Sequence, residues 1–306
     1  MKVFHSIQSY TKVKPTVVTI GTFDGVHIGH KKIIERIIAS ANNGQYESLI
    51  LTFFPHPRMV LGGQPDIKLL NTLGEKKQLL AQTGLDSLVI HPFDADFSQL
   101  SAEEFVKNVL VDTFGTAKII IGHDHRFGKN RAANIDDLIV FGEKYGFEVE
   151  QITAQEIDDV SVSSTKIRTA LTSGNVALAN SYLGYNYMFS GKVVKGQQLG
   201  RTIGFPTANI EINDPFKVIP HDGVYIVKAD RHTFGMMNIG NRPTLHGLNR
   251  TIEVHLLDFD RDLYDKTLEI SVVERLRDEQ KFDSVDFLVS QLKKDLEATR
   301  RFIANL

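Results

Sequence analysis

Thr16-Val-Val-Thr-Ile-Gly21-Thr-Phe-Asp-Gly25-Val-His27-Ile-Gly-His30 decides the architecture of the first half of the chain. Its opening five residues are mostly β-branched, and such a run closed by a glycine reads as a strand. From residue 30 to residue 42, Ile33, Ile34, Ile37 and Ile38 recur at helical spacing. A strand that passes through a short loop directly into a helix places that loop at the helix N-terminus. Unpaired N–H groups and the positive end of the dipole meet anions there. Gly25 and Gly29 let the backbone run close to a ligand. His27 and His30, three residues apart, face the same spot, where imidazoles would donate hydrogen bonds to phosphoryl oxygens gaining charge in a transition state. No third ligand lies nearby in the sequence to favour a metal instead. The tetrapeptide His-Ile-Gly-His alone does not separate this reading from a capped helix with ordinary surface histidines.

Outward from this stretch the same alternation repeats. Apolar, strand-like runs cover residues 48–54, 87–90, 117–121 and 147–152, and helical patterns cover 74–83, 102–114 and 135–145. Hydrophobicity is continuous along these strands rather than alternating, the mark of a parallel sheet covered on both faces. The expected fold is α/β with an open, doubly wound sheet, whose ligands sit at the carboxyl ends of the strands. Phe54-Pro-His-Pro57 and Gly122-His-Asp-His-Arg-Phe-Gly128 each follow such a strand directly, and the latter adds Asp124 and Arg126 to that edge. Val162-Ser-Ser-Thr-Lys-Ile-Arg168 opens a helix expected to end near Thr172. Ser163, Ser164 and Thr165 can cap that helix, and a phosphate there would meet hydroxyls, N–H groups, Lys166 and Arg168. Each segment alone could be a structural turn or a plain cap; several of them after strands argue against coincidence.

The pattern changes after Leu183. Short strand-like runs crowd residues 187–194, 224–229, 234–239, 251–259 and 267–276, separated by turns rich in Gly, Asn, Asp and Pro. Along Thr251-Ile-Glu-Val-His-Leu256, Glu253 and His255 share one face while Ile252, Val254 and Leu256 share the other. One helix closes the chain, from an Asp283 N-cap through Val285, Leu288, Leu292, Leu296 and Ile303. We expect a small antiparallel barrel with a covering helix, and two domains, 1–183 and 184–306, with Gly184 stopping the helix between them.

Composition narrows the function. The 306 residues include 35 Lys+Arg against 37 Asp+Glu, a net charge of −2, so no global basic field exists to gather nucleic acid or an anionic membrane. With no cysteine, thiolate metal sites, disulfides and a cysteine nucleophile are excluded. No apolar run approaches the ~18 residues of a membrane span. Polar residues and lysines interrupt the N-terminus before a signal-peptide core can form, which predicts a cytoplasmic protein. The sequence sets no oligomeric state.

In the second half, Gly196, Gly200 and Gly204 recur at four-residue intervals, a phosphate-loop-like rhythm that lacks the Gly-Lys-Ser/Thr ending. A glycine-rich turn between strands explains the glycines equally well. Pro206-Thr-Ala-Asn209 tips the balance, because Thr207 and Asn209 offer hard oxygens two residues apart, suited to a nucleotide-bound Mg²⁺. Asn238-Ile-Gly-Asn-Arg-Pro-Thr244 is a second rigid polar loop. Glu253, a carboxylate between apolar neighbours, is either an outward barrel residue or a functional base.

The first-half motifs are Gly-Thr-Phe-Asp-Gly-Val-His-Ile-Gly-His at 21–30, Phe-Pro-His-Pro at 54–57, Gly-x-Asp-x-x-Phe-Gly at 122–128 and Ser-Ser-Thr-x-Ile-Arg at 163–168. Together they resemble the adenylyltransferase module of bacterial bifunctional FAD synthetases, within the HxGH nucleotidylyltransferases. His125 stands where that family often has Phe. The resemblance implies transfer of AMP from ATP to FMN with release of pyrophosphate. It assigns ATP contacts to Gly21, Phe23, Asp24, Gly25, His27, His30, Ser164, Thr165 and Arg168, and a flavin contact to Asp124. The second-half motifs are Gly-Arg-Thr-Ile-Gly-Phe-Pro-Thr-Ala-Asn at 200–209, Asn-Ile-Gly-x-Arg-Pro-Thr at 238–244, Glu-Val-His-Leu-Leu-Asp-Phe at 253–259 and Leu-Arg-Asp-Glu-x-Lys-Phe at 276–282. They resemble riboflavin kinase. That resemblance implies Glu253 as the base toward the ribityl 5′-hydroxyl and Thr207 and Asn209 as Mg²⁺ ligands. It also puts Gly196, Gly200 and Gly204 at the nucleotide, and Arg277 and Glu279 on the flavin side. The expected partners are riboflavin, FMN, FAD and ATP. A flavin-sensing regulator would need a binding module that the sequence does not add.

Overall fold

The computed structural model describes residues 1–42, 45–61, 67–122, 125–153, 162–196, 198–230, 232–244 and 247–306. The chain divides into two compact units, Met1–Ile67 with Leu73–Ser163, and Lys68–Thr72 with Ser164–Leu306.

In the first unit, strands β1 (Lys2–Phe4), β2 (Thr16–Ile20), β3 (Glu47–Phe53), β4 (Ser87–His91), β5 (Thr116–Gly122) and β6 (Glu148–Ile152) form one sheet in the order β1-β4-β3-β2-β5-β6. Every pairing is parallel. Side-chain alternation sends Val18, Ile20, Leu49, Leu51, Ile119 and Ile121 into one core layer. Val17, Ile50, Leu88, Ile90 and Ile120 point to the other, where Ile34 and Ile37 of the helix Ile28–Asn42 cover them. Both faces are thus buried, which is why the strands read as unbroken apolar runs. The chain runs from β2 to β3 and β4 on one side, then crosses to β5 and β6 on the other. The loop leaving β2 therefore lies at the topological switch point, where open α/β sheets bind their ligands.

The expected helix over 102–114 is two pieces. Ser101 and Glu104 form a capping box on Ala102–Glu104, and Phe105–Thr113 continues as a π-helix. The wider turn buries Phe105, Val106, Val109 and Leu110 together.

The second unit begins with the helices Ser164–Thr172 and Val176–Leu183. Gly184, at φ 68°, ends the latter as expected. Strands β7 (Met188–Val194), β8 (Ala208–Glu211), β9 (Gly223–Ala229), β10 (Thr233–Thr244), β11 (Gly247–Leu256) and β12 (Thr267–Arg277) follow, closed into an antiparallel barrel ordered β10-β11-β8-β7-β12-β9. The sequence reading assigns both helices to the first domain, whereas they pack with the barrel. His221 N–H donates to Leu171 O at 2.9 Å. Asn180 donates to Val272 O at 3.0 Å and accepts from Tyr187 N–H at 2.7 Å.

The covering helix is Val285–Ala304, and its N-cap is Ser284, not Asp283. The Ser284 hydroxyl accepts from Phe287 N–H at 3.3 Å, which places the first helical residue one position later. Val285 is exposed, and the inward positions include Asp295 and Thr299.

Residues Lys68–Thr72 reach the barrel unit from between two elements of the sheet unit. Leu69 bridges Lys217 in parallel, its N–H donating to Phe216 O at 2.5 Å and its carbonyl accepting from Val218 N–H at 2.9 Å. The Lys217 ammonium, buried at 3% exposure, donates to Leu70 O at 2.6 Å and Met188 O at 2.7 Å. A fragment of residues 164–306 would lose the Leu70 acceptor, and hydrogen bonds to charged groups are worth about 1.5–3 kcal/mol each. Chemical denaturation of that fragment should show stabilisation by a synthetic peptide of residues 67–73, and Lys217→Met should reduce the gain. A fragment indifferent to the peptide would refute this role for the strap.

Candidate active sites

In the first unit, Gly21 leaves β2 with its N–H donating to Leu51 O at 3.1 Å. A side chain at Gly21 would press on the Phe23 ring, 3.1 Å from a Cβ. The turn is tight. Phe23, Gly25 and Val26 have φ of 46°, 92° and 39°, a left-handed path that favours glycine and costs the other two residue types energy. Phe23, Asp24 and Val26 are buried, so the loop is packed into the unit rather than laid over it.

His27 and His30 stack with ring centroids 3.6 Å apart and an interplanar angle of 18°. Phe23 covers His30 at 5.0 Å. The His30 N–H donates to His27 Nδ1 at 3.4 Å. In the neutral imidazole this leaves the His27 proton on Nε2, a donor. Among the described residues, His30 Nδ1 is buried with no hydrogen-bond partner. Burial pulls the His27 pKa down to about 4. His30 lies well below the ordinary histidine value through burial, with His27 and Lys76 adding to the shift. Both rings are therefore neutral at physiological pH, able to donate to phosphate without carrying a fixed charge.

Sequence reasoning missed Lys76. From the helix Leu73–Ala81 its ammonium donates to Thr22 O at 2.6 Å, and the Thr52 hydroxyl donates to the same carbonyl at 3.2 Å. Burial lowers the Lys76 pKa, opposed by the Asp24 carboxylate. A signal was present in the chain: position 76 lies three after Leu73 and four before Leu80, on the buried stripe.

Ser164, Thr165 and Arg168 stand on the helix Ser164–Thr172 of the second unit, with Arg168 Nη2 donating to Thr165 Oγ1 at 3.5 Å. Buried Ile167, Ala170 and Leu171 anchor that helix. Asp124 lies outside the described residues.

In the barrel, β11 alternates as expected, with Ile252, Val254 and Leu256 buried and Glu253 and His255 on the opposite face. The antiparallel register sets Glu253 opposite Asn209 of β8 on one side and Asn238 of β10 on the other. Thr207 Oγ1 donates to Glu253 Oε2 at 3.3 Å. A carboxylate, a hydroxyl and an amide from separate strands and their flanks thus meet on one face. His255 Nδ1 lies 2.8 Å from Pro206 O, and its ring packs edge-on against Phe205 at 5.3 Å, fixing the Pro206–Thr207 bend. The glycines serve close approach. A Cβ at Gly196 would fall 2.1 Å from Asn209 Nδ2, and one at Gly200 2.2 Å from Phe205 O. Gly204 has φ 81°.

Of Arg277 and Glu279, Arg277 is held in place. Its Nε lies 3.1 Å from both Asp295 oxygens, Nη2 donates to Oδ2 at 2.8 Å, and Nη1 donates to Asp278 O at 2.9 Å. Gln291 donates to Asp295 Oδ1 at 2.8 Å. The Glu279 carboxylate lies against Gly240, where any side chain would collide with it.

Comparison with known proteins covers both halves of the chain. The family described as FAD synthetase matches residues 9–166, and the family described as riboflavin kinase matches residues 183–303. The bifunctional riboflavin kinase/FMN adenylyltransferase of Escherichia coli K12 is 35% identical over 99% of this chain and 98% of its own. That of Listeria monocytogenes is 38% identical over 95% of this chain and 93% of its own. A crystal structure from Streptococcus pneumoniae, described as a macrolide-efflux protein, superposes with TM-score 0.89 at 32% identity, covering 98% of each chain. Among the described residues here, no helix is long and apolar enough to cross a membrane. With two family matches end to end and relatives aligned along almost its whole length, the chain belongs to the bifunctional riboflavin kinase/FMN adenylyltransferase family.

Proposed function

We propose that the protein makes FAD in two steps: riboflavin and ATP give FMN and ADP, then FMN and a second ATP give FAD and pyrophosphate. The observation that carries the reading is the Thr207–Glu253 hydrogen bond opposite Asn209, an assembled acid, hydroxyl and amide in the half of the chain matched to riboflavin kinase.

In the kinase step, Glu253 takes the proton of the ribityl 5′-hydroxyl as that oxygen attacks the γ-phosphorus and ADP leaves. Positioning and charge neutralisation dominate such a transfer, and a general base adds about 10²–10⁴-fold. Thr207 and Asn209 fit a nucleotide-bound Mg²⁺, being hard oxygen donors beside a carboxylate. The ion would offset phosphate charge. Gly196, Gly200 and Gly204 let the loop run close to the nucleotide, and Arg277 and Glu279 border the flavin. Among the described residues no three His, Cys, Asp or Glu gather to hold a metal. Phosphate oxygens and water must then complete the shell. Isothermal calorimetry should accordingly show weak Mg²⁺ binding to the nucleotide-free protein and strong binding with ATP present. Tight binding without nucleotide would count against Thr207 and Asn209.

In the adenylyl step, an FMN phosphate oxygen attacks the α-phosphorus of ATP and pyrophosphate leaves. Neutral His27 and His30 donate hydrogen bonds to oxygens that gain charge. The loop from Gly21 through Phe23, Asp24 and Gly25 holds the nucleotide. Ser164, Thr165 and Arg168 add hydroxyls and a guanidinium for phosphate. Asp124 contacts the flavin. The functional division is drawn at 183/184, a boundary supported by the riboflavin kinase match over residues 183–303, and the enzyme works in the cytoplasm. Incubation with riboflavin and Mg-ATP, followed by chromatographic separation of flavins, tests the whole reading; formation of neither FMN nor FAD would overturn it.

A further inference from the structure

We propose that Lys76 is a positioning residue for FMN adenylylation: its buried side chain clamps the Thr22 carbonyl at the root of the loop that carries His27 and His30. The inference rests on reading His27 and His30 as the groups that act on the ATP phosphates.

A lysine at 6% exposure, on a helix that also buries Glu75 and Leu80, is a costly choice where leucine or methionine would fill the space. Here it does two things an apolar side chain cannot. The Thr22 carbonyl receives Lys76 Nζ at 2.6 Å from the helix Leu73–Ala81 and Thr52 Oγ1 at 3.2 Å from β3. That carbonyl immediately precedes Phe23, at φ 46°, in the turn that ends at His27. Left-handed non-glycine residues are strained and persist only where their surroundings over-determine them. Two donors from two different elements supply that constraint and so fix where the imidazoles stand.

The second effect is electrostatic. Among the described residues, the titratable groups acting on His30 are His27 and Lys76, and the Asp24 carboxylate acts on Lys76. A cation next to an imidazole disfavours its protonation. Removing the Lys76 charge therefore makes His30 easier to protonate. The acid limb of FAD formation should move to higher pH.

The test uses the full chain and assays both half-reactions across about pH 5 to 8, the range in which histidine titrates. Lys76→Met should lower kcat for conversion of supplied FMN to FAD about 10-fold or more, since small misplacements of catalytic groups are costly. It should shift the acid limb upward and leave riboflavin phosphorylation at the parent rate. Thr52→Val removes one clamp while keeping the charge, so it should slow FAD formation without moving the limb. FAD formation by Lys76→Met within threefold of the parent, with an unmoved limb, would overturn the proposal. Should Lys76→Met fail to fold, Thr52→Val decides: FAD formation at the parent rate in that variant would overturn the clamp on the Thr22 carbonyl. His30→Ala separates the two failures. If it retains FAD formation, the histidine reading falls and the proposal with it; if it abolishes FAD formation while Lys76→Met does not, the proposal alone falls.

Discussion

His30→Ala is expected to cut conversion of supplied FMN to FAD by about 10²–10³-fold, the usual cost of losing one preorganised donor to developing charge, while riboflavin phosphorylation continues. The ring stacks on His27 at 3.6 Å and under Phe23 at 5.0 Å, so its loss also opens space in the loop. That disturbance is confined to the sheet unit, because Glu253, Thr207 and Asn209 stand in the other compact unit with its own closed barrel. The two rates should be measured on one preparation with its melting temperature checked. Loss of both activities in a protein that remains folded would contradict the assignment of one reaction to each half. The parent enzyme should also show an acid dependence of definite sign. With His27 depressed from its ordinary value to about 4, the neutral donor is fully present at and above the ordinary range and is lost as pH falls through the folded value. FAD formation should therefore survive acidification further than an unperturbed histidine would allow.

What could be read from the sequence follows from how local each signal is. The run Thr16–Ile20 and the loop to His30 lie along one short piece of chain, and strand, turn and helix all carried their own residue preferences. The alternation through Ile252, Glu253 and Val254 gave the two faces of β11 directly. By contrast, β8 is four residues, Ala208–Glu211, inside a stretch whose glycines, threonine and asparagine drew attention as chemistry. Its pairing with β7 and β11 is decided by strands distant in the chain, which no local pattern records. The same holds for the Lys68–Thr72 strap and for Arg277. The motif places Arg277 on the flavin side, but only the folded barrel brings it to Asp295, eighteen positions away on the closing helix. Lys76 was hidden for another reason. A charged residue on an apolar stripe reads as a solvated interruption until the carbonyl that it serves is placed over it. Burial of a charge is set by tertiary partners, and these are invisible to periodicity.

Glu253→Gln is the sharper substitution of the two, because it keeps the size and shape of the side chain and removes only the base and its charge. The glutamine carbonyl oxygen can still accept the Thr207 hydroxyl, which lies 3.3 Å from the carboxylate, so folding should be nearly unchanged. Packing argues the same way: the apolar neighbours Ile252 and Val254 point to the barrel interior, and residue 253 does not. As a base aimed at a ribityl hydroxyl, its loss should lower kcat for FMN formation about 10²-fold or more. KM values for riboflavin and ATP should change much less, since the proton transfer is made in the transition state and not in the bound ground state. Conversion of supplied FMN to FAD should proceed at the parent rate. The measurement is steady-state kinetics of both half-reactions, with thermal unfolding as the control for structure. A kinase rate within a few-fold of the parent would make Glu253 a surface carboxylate of the barrel whose bond to Thr207 merely tidies a loop. A selective fall in kcat would show that the register opposite Asn209 exists to hold a base against the site of phosphoryl transfer.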